Sequence, residues 1–206
     1  MYLVNGIKGI IPGGISAMDF AIVAKTDQIT AKKILNELVK NEIGQKKGDV
    51  FNFSEGDKLK AAINALEQGA SIDEIAEEIS WKDFEGLTAE ILEEKGFATI
   101  RNLRLKNPRR EIDVVGTNLG ISMLIDCKHW KRTSLSSLQT TVKKQIERVK
   151  QYIVSTDSTM AIAVIVTLYQ DKVDFIDKVP IVPIFQFSSF VDEFYGNLDE
   201  IRQIKA

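Results

Sequence analysis

The residues best suited to chemistry are two aspartates and a lysine. Asp113 is followed by two aliphatic residues, and Asp126-Cys127-Lys128 closes another apolar run thirteen positions further on. Asn118-Leu119-Gly120 lies between them and reads as a hairpin turn. Side chains alternate across a strand, so Asp126 and Lys128 share a face while Cys127 points the other way. The turn brings Asp113 opposite Asp126, or nearly so, on the paired strand. Two carboxylates that close repel each other, and a divalent cation is the simplest relief. Magnesium prefers oxygen ligands and keeps several waters, which makes the pair a sensible anchor for it. Lys128 could orient or help deprotonate an attacking water and steady the developing phosphate charge. Glu90, on the preceding helix, could add a third carboxylate. The bland alternative is that Asp113 and Asp126 are structural ions paired with Arg109, Arg110 or Lys128.

The rest of the composition narrows the chemistry. Cys127 is the only cysteine and His129 the only histidine among 206 residues. An intrachain disulfide is impossible, a cysteine-based zinc site is disfavoured, and Ser-His-Asp or Cys-His catalysis is a poor fit. Cys127 reads as a small buried hydrophobe, and Trp130 as packing or a base-stacking surface. With 44% hydrophobic residues and a net charge of −2, the chain can build a core and is not disordered as a whole. Its longest apolar run, near 161–168, is too short for a transmembrane helix. No N-terminal segment has the pattern of a secretory signal, so the sequence predicts a cytoplasmic protein with no membrane association.

The small net charge hides segregation. Residues 25–47 hold six Lys against three acids, whereas residues 55–95 hold twelve acids against four bases. Residues 128–150 hold seven Lys or Arg against Glu147 alone. A polyanion reads local sign rather than the total, so two basic regions in an acidic chain suggest phosphate contacts.

The elements that must position these groups fall into two sets, expected to be domains over residues 1–80 and 81–206. The glycine-rich first fifteen residues read as an irregular start. A short helix capped by Ser16 is followed by an amphipathic one over Thr30–Asn41, with Ala31, Ile34, Leu35 and Leu38 on one face. A hairpin with Lys46-Lys47-Gly48-Asp49 at its tip leads into Val50–Phe53. Helix, turn, helix and basic-tipped hairpin resembles a winged-helix module. In such a module Lys32, Lys33, Asn36, Lys46 and Lys47 would touch DNA, although winged helices also dock proteins. A third helix runs from Ser54 to Gln68, and Ser71 with Glu74 forms a capping box for a short connector.

From Trp81 onward the pattern predicts a helix over 83–95, strands over 97–105, 111–117 and 121–128, and a basic helix over 137–152. A buried strand follows over 160–168. Another over 179–185 is placed at an edge or an early position by Pro180 and Pro183, and a closing helix spans 188–204. This is an α/β fold with a mixed β-sheet flanked by helices.

Glu90, Glu111-Ile112-Asp113 and Asp126-Cys127-Lys128 together resemble the PD-(D/E)xK nucleases. Within that superfamily they are most similar to Mrr-like restriction endonucleases and archaeal Holliday-junction resolvases, over about Trp81–Phe194. The resemblance implies a restriction-endonuclease-like fold that cleaves DNA phosphodiester bonds with Mg2+, for which Mn2+ would substitute. It makes Asp113, Asp126 and Glu90 metal ligands, Lys128 the catalytic lysine, and Gln145 a further site residue on the following helix. Glu111 matches the acidic residue of the EID form, while the proline often found before the first aspartate is missing. Arg109, Arg110, Lys131, Arg132, Lys143 and Lys144 lie where they would contact DNA, and a homodimer is plausible. The competing expectations are a catalytically silent DNA- or protein-binding regulator that keeps the fold, and an RNA nuclease.

Overall fold

The computed structural model describes residues 2–70, 74–75, 78–128, 134–168 and 174–206. It forms two compact units, Met1–Leu87 and Thr88–Ala206. The division falls within the helix Trp81–Glu94.

The first unit contains α1 (Tyr2–Ile7), β1 (Gly13–Ser16), α2 (Ala17–Val23), α3 (Gln28–Lys40), β2 (Gln45–Lys47), β3 (Val50–Phe53) and α4 (Asp57–Glu67). Its three strands pair antiparallel in the order β1-β3-β2. Ser16 caps α2 as its side chain accepts from the Asp19 N–H, and Asp27 caps α3 by accepting from Ile29 and Thr30. Ala31, Ile34, Leu35 and Leu38 form the buried face of α3, while Lys32, Lys33 and Asn36 are exposed.

The expectation of an irregular start is corrected here. Residues 2–7 are helical and residues 13–16 form a strand, with Ile7 and Ile10 buried. The glycines serve close packing. A Cβ on Gly9 would lie 2.6 Å from the Phe20 ring. The capping box at Ser71 falls outside the described residues.

The second unit is a seven-stranded mixed sheet with flanking helices. It contains part of α5 (Trp81–Glu94), then β4 (Ala98–Leu105), β5 (Arg110–Asn118), β6 (Ile121–Lys128), α6 (Leu135–Ser155), β7 (Met160–Thr167), β8 (Asp174–Ile176) and β9 (Val179–Pro183). α7 (Ile184–Glu193), a 3-10 helix (Phe194–Glu200) and β10 (Gln203–Lys205) complete it. The strand order is β4-β5-β6-β7-β9-β8, and β10 pairs with the early part of β7. β4-β5-β6 is an antiparallel meander, whereas β6-β7-β9 run parallel. Crossover α6 packs its apolar face, including Val142, Ile146 and Val149, with Val115, Leu124, Ala163 and Ile165. Strands covered on both sides read as continuous apolar runs, and every residue of β6 from Ile121 to Cys127 is buried.

Two further expectations are corrected. β9 is internal, flanked by β7 and β8, despite its prolines. Its pairing with β7 starts at Ile181, so Pro180 lies outside that ladder and Pro183 ends the strand. The closing helix starts earlier, at Ile184, tightens to 3-10 geometry at Phe194 and yields to β10.

Candidate active site

The β5–β6 hairpin determines which residues meet. Leu119 and Gly120 form its two-residue turn, both at positive φ (48° and 78°), a turn whose twist matches that of the flanking strands. The register runs from Asn118↔Ile121 to Val114↔Ile125. One step further, the Asp113 side chain replaces the backbone ladder: Cys127 N–H donates to its Oδ2 at 2.7 Å. Asp113 is thereby tied to the segment that carries Asp126 and Lys128, a charge-assisted bond of the stronger class.

Asp126 and Lys128 project toward α6, as alternation requires. Cys127 projects to the other face, where its Sγ meets Thr88 Oγ1 of α5. Asp126 is 2% exposed. Lys128 Nζ lies 2.7 Å from its Oδ2, and Arg148 Nη1 lies 2.8 Å from its Oδ1. Arg148 Nη1 also donates to Gln145 Oε1 at 2.9 Å, and Gln145 Nε2 donates to the Leu124 carbonyl at 2.9 Å. A chain of contacts therefore runs from the β6 backbone through Gln145 and Arg148 to Asp126. Both ends of the fully buried Gln145 amide are used internally, so it holds Arg148 in place.

A basic cleft of about 400 Å3 adjoins this chain, lined by Arg110, Lys143, Lys144, Glu147 and Arg148. The single acid is compensated, since Lys150 Nζ sits 2.8 Å from Glu147 Oε1. That hydrogen bond and charge, with a smaller effect from Arg110, hold the Glu147 carboxyl below its usual range. Gln151 Nε2 donates to the Lys106 and Pro108 carbonyls, both at 2.8 Å, and pins the basic turn that leads to Arg110 against α6.

Residues 76–181, which span the hairpin, α6 and β7, match a family model described as restriction endonuclease, Mrr_cat. The chain belongs to that family. As a member of the restriction endonuclease family, it has a nuclease-type domain on a restriction-endonuclease-like fold. Comparison with curated proteins gives no match. Similar solved structures include the following two. One, titled a protein of unknown function AF1548, shares 25% identity over 41% of this chain and 46% of its own, with TM-score 0.33. The other, protein VC1899 from Vibrio cholerae, shares 13% identity over 97% of this chain and 50% of its own, with TM-score 0.39. This chain thus spans about half of each.

For this restriction endonuclease family member the expected site residues divide as follows. Asp113 is tied to the Cys127 N–H, Asp126 is paired with Lys128 and Arg148, and among the described residues Gln145 reaches this group only through Arg148. Glu90 is half-buried on α5, the helix that touches the Cys127 face. Among the described residues no three His, Cys, Asp or Glu side chains gather closely enough to hold a metal, so Glu90, Asp113 and Asp126 do not form a ready-made triad. Asp126 is instead paired with Lys128 and Arg148. The donor set still fits a hard cation. Two carboxylates are tied to the same strand end, and Asp126 Oδ2 is buried without a hydrogen bond even though Lys128 Nζ is close.

Arg109 is exposed, and Arg110, Lys143 and Lys144 share the basic cleft. Lys131 and Arg132, with His129 and Trp130, lie outside the described residues. In the first unit Lys46 sits over the Phe51 ring at 5.4 Å, and Lys46 and Lys47 are exposed. Sequence reasoning misses Arg148 as the partner of Asp126. A signal for it exists, because Gln145 and Arg148 stand three apart on one helix face and so reach the same strand. No helix among the described residues is long and apolar enough to cross a membrane.

Proposed function

We propose that the chain is a magnesium-dependent DNA endonuclease. The observation that carries this reading is the joining of Asp113 to the Asp126–Lys128 strand end beside a cleft of four cations. Asp113 and Asp126 would hold the ion, with Mn2+ able to replace Mg2+ and Glu90 reaching in as a third ligand. A divalent ion bound there lowers the pKa of a coordinated water and offsets charge on the leaving oxygen. Lys128 orients the water for attack on phosphorus and steadies the phosphate charge. Arg148, held by Gln145, keeps the Asp126 carboxylate aimed. Arg110, Lys143 and Lys144 bind flanking phosphates, as would Arg109, Lys131 and Arg132.

Residues 1–80 act as a winged-helix-like module that orients the duplex, and residues 81–206 act as the nuclease domain. The order α1-β1-α2-α3-β2-β3, with exposed Lys32, Lys33 and Asn36 on α3 and Lys47 beside the Gly48-Asp49 turn, supports that assignment. A homodimer would pair two sites and cut both strands; sedimentation velocity on the full chain tests it.

The deciding experiment measures cleavage of plasmid, linear and branched DNA, with RNA in parallel. Wild type should cut DNA with Mg2+ or Mn2+ and stop in EDTA, while Asp126→Asn and Lys128→Ala should lose activity by at least about a hundredfold, in the range of a missing electrostatic or acid–base group. One observation favours a second reading, a silent DNA-binding regulator: Asp126 is neutralised twice. Tight DNA binding by wild type with no cutting under either metal would establish that reading and end the first.

A further inference from the structure

Thr167 ends β7 and is 7% exposed, and its Oγ1 has no hydrogen-bond partner among the described residues. The parallel register puts it level with Lys128 on one side and with Pro183 on the other. In-register residues on neighbouring strands project to the same face, about 4.8 Å apart. That face is the α6 side, since Ala161, Ala163 and Ile165, at alternate positions of the same strand, pack in the cluster with α6. Thr167 therefore stands beside Lys128, on the face where Asp126 meets Arg148.

A buried hydroxyl without a partner is destabilising, and a valine of the same shape would avoid that cost. The arrangement makes sense if the hydroxyl gains a partner when its neighbours change state. Lys128 has a flexible stem and three rotatable donors. Its ammonium lies 2.7 Å from Asp126 Oδ2, the buried oxygen that makes no hydrogen bond. A cation taken up at that oxygen would repel the ammonium and displace it.

We propose that Thr167 Oγ1 is the acceptor that receives the Lys128 ammonium when Asp126 Oδ2 binds a divalent cation. Thr167 is thus a positioning residue that acts through Lys128. It makes room for the ion and sets the lysine at a fixed place beside the attacking water. The inference rests on the nuclease reading above and adds to it the device that breaks the Lys128–Asp126 pair.

The test compares full-length wild type, Thr167→Val and Thr167→Ser. Mn2+ is titrated by calorimetry, cleavage is followed for kcat and KM, and melting is recorded in EDTA. Thr167→Val should bind Mn2+ roughly tenfold more weakly, about the loss of one hydrogen bond to a charged group, and should lose kcat with little change in KM for DNA. Thr167→Ser should stay within about twofold of wild type on both readouts. In EDTA the valine variant should melt no lower than wild type. Wild-type manganese affinity in Thr167→Val, a serine variant as impaired as the valine one, or a lower melting point of the valine variant in EDTA would each overturn the proposal. Wild type that neither binds manganese nor cuts DNA would overturn the nuclease reading itself.

Discussion

A carboxylate with 2% of its surface exposed needs opposite charge close by, and Asp126 has it from two sides. Lys128 comes from the same strand and Arg148 from the crossover helix. Removing one cation leaves the other to stabilise a buried anion. Arg148→Met should therefore destabilise the fold by roughly 2–3 kcal/mol. That is below the roughly 3–5 kcal/mol typical of a fully buried pair, because the arginine side chain stays partly exposed. Adding Asp126→Asn should recover much of the loss, since the anion that needed the cation is then gone. Urea unfolding of both single variants and the double variant measures this. Equal costs of Arg148→Met in the two backgrounds would mean that the pair is uncoupled. The Asp126–Lys128 relation is legible in the sequence because strand alternation alone puts residues two apart on one face. For Arg148 the spacing from Gln145 puts both on one helix face, but which strand that face meets is set by the tertiary packing of α6.

At the scale of elements, turns and caps decide how firmly the site is held. Leu119 takes a positive φ in the β5–β6 turn while 81% exposed, so its side chain contributes little packing to offset the strain. Leu119→Asn should raise stability by about 1 kcal/mol, since asparagine followed by glycine suits this turn. Thermal unfolding checks it, and a lower midpoint would refute the strain argument. Asp27 gives a pH-dependent case. The Thr30 hydroxyl, then the Thr30 and Ile29 N–H groups, hold its carboxyl below the ordinary value. A folded-state pKa below the unfolded one gives stability that is present above the usual carboxylate pKa and is lost as pH falls through the folded value. Asp27→Ala should lower the melting point at neutral pH, and the gap to wild type should close in acid. A gap that persists there would rule out the charged cap as its source. The strong helices α3 and α6 and the hairpin can be read from periodicity and turn residues. The segments that cannot are α1, β1, β8 and β10, all of seven residues or fewer. β1 and β10 are stabilised by partners distant in sequence, such as Phe53 for Gly13 or Ala161 for Ile204, whereas β8 is a three-residue strand held by its hairpin with β9.

Over the whole molecule, the DNA binding proposed above would have to rest on the placement of charge rather than its sum. The chain carries −2, yet it sets lysines on α3 and the β2–β3 hairpin and builds a cationic cleft along α6. Each phosphate neutralised releases condensed counterions, so the slope of log affinity against log salt reports about 0.9 per neutralised phosphate on duplex DNA. Two sets of substitutions separate the units. Replacing Lys32, Lys33, Lys46 and Lys47 with alanine should flatten the slope by about 0.9 for each phosphate no longer neutralised. Binding should weaken evenly across sequences, while saturating DNA restores the cutting rate. Replacing Arg110, Lys143 and Lys144 should also flatten the slope, but the rate at saturation should fall, because these groups line the cleft next to the Arg148–Asp126 pair. Fluorescence anisotropy across a salt series, paired with single-turnover cleavage, distinguishes the two. An unchanged slope for the first set would remove the N-terminal unit from DNA recognition and leave the second unit to bind and cut alone.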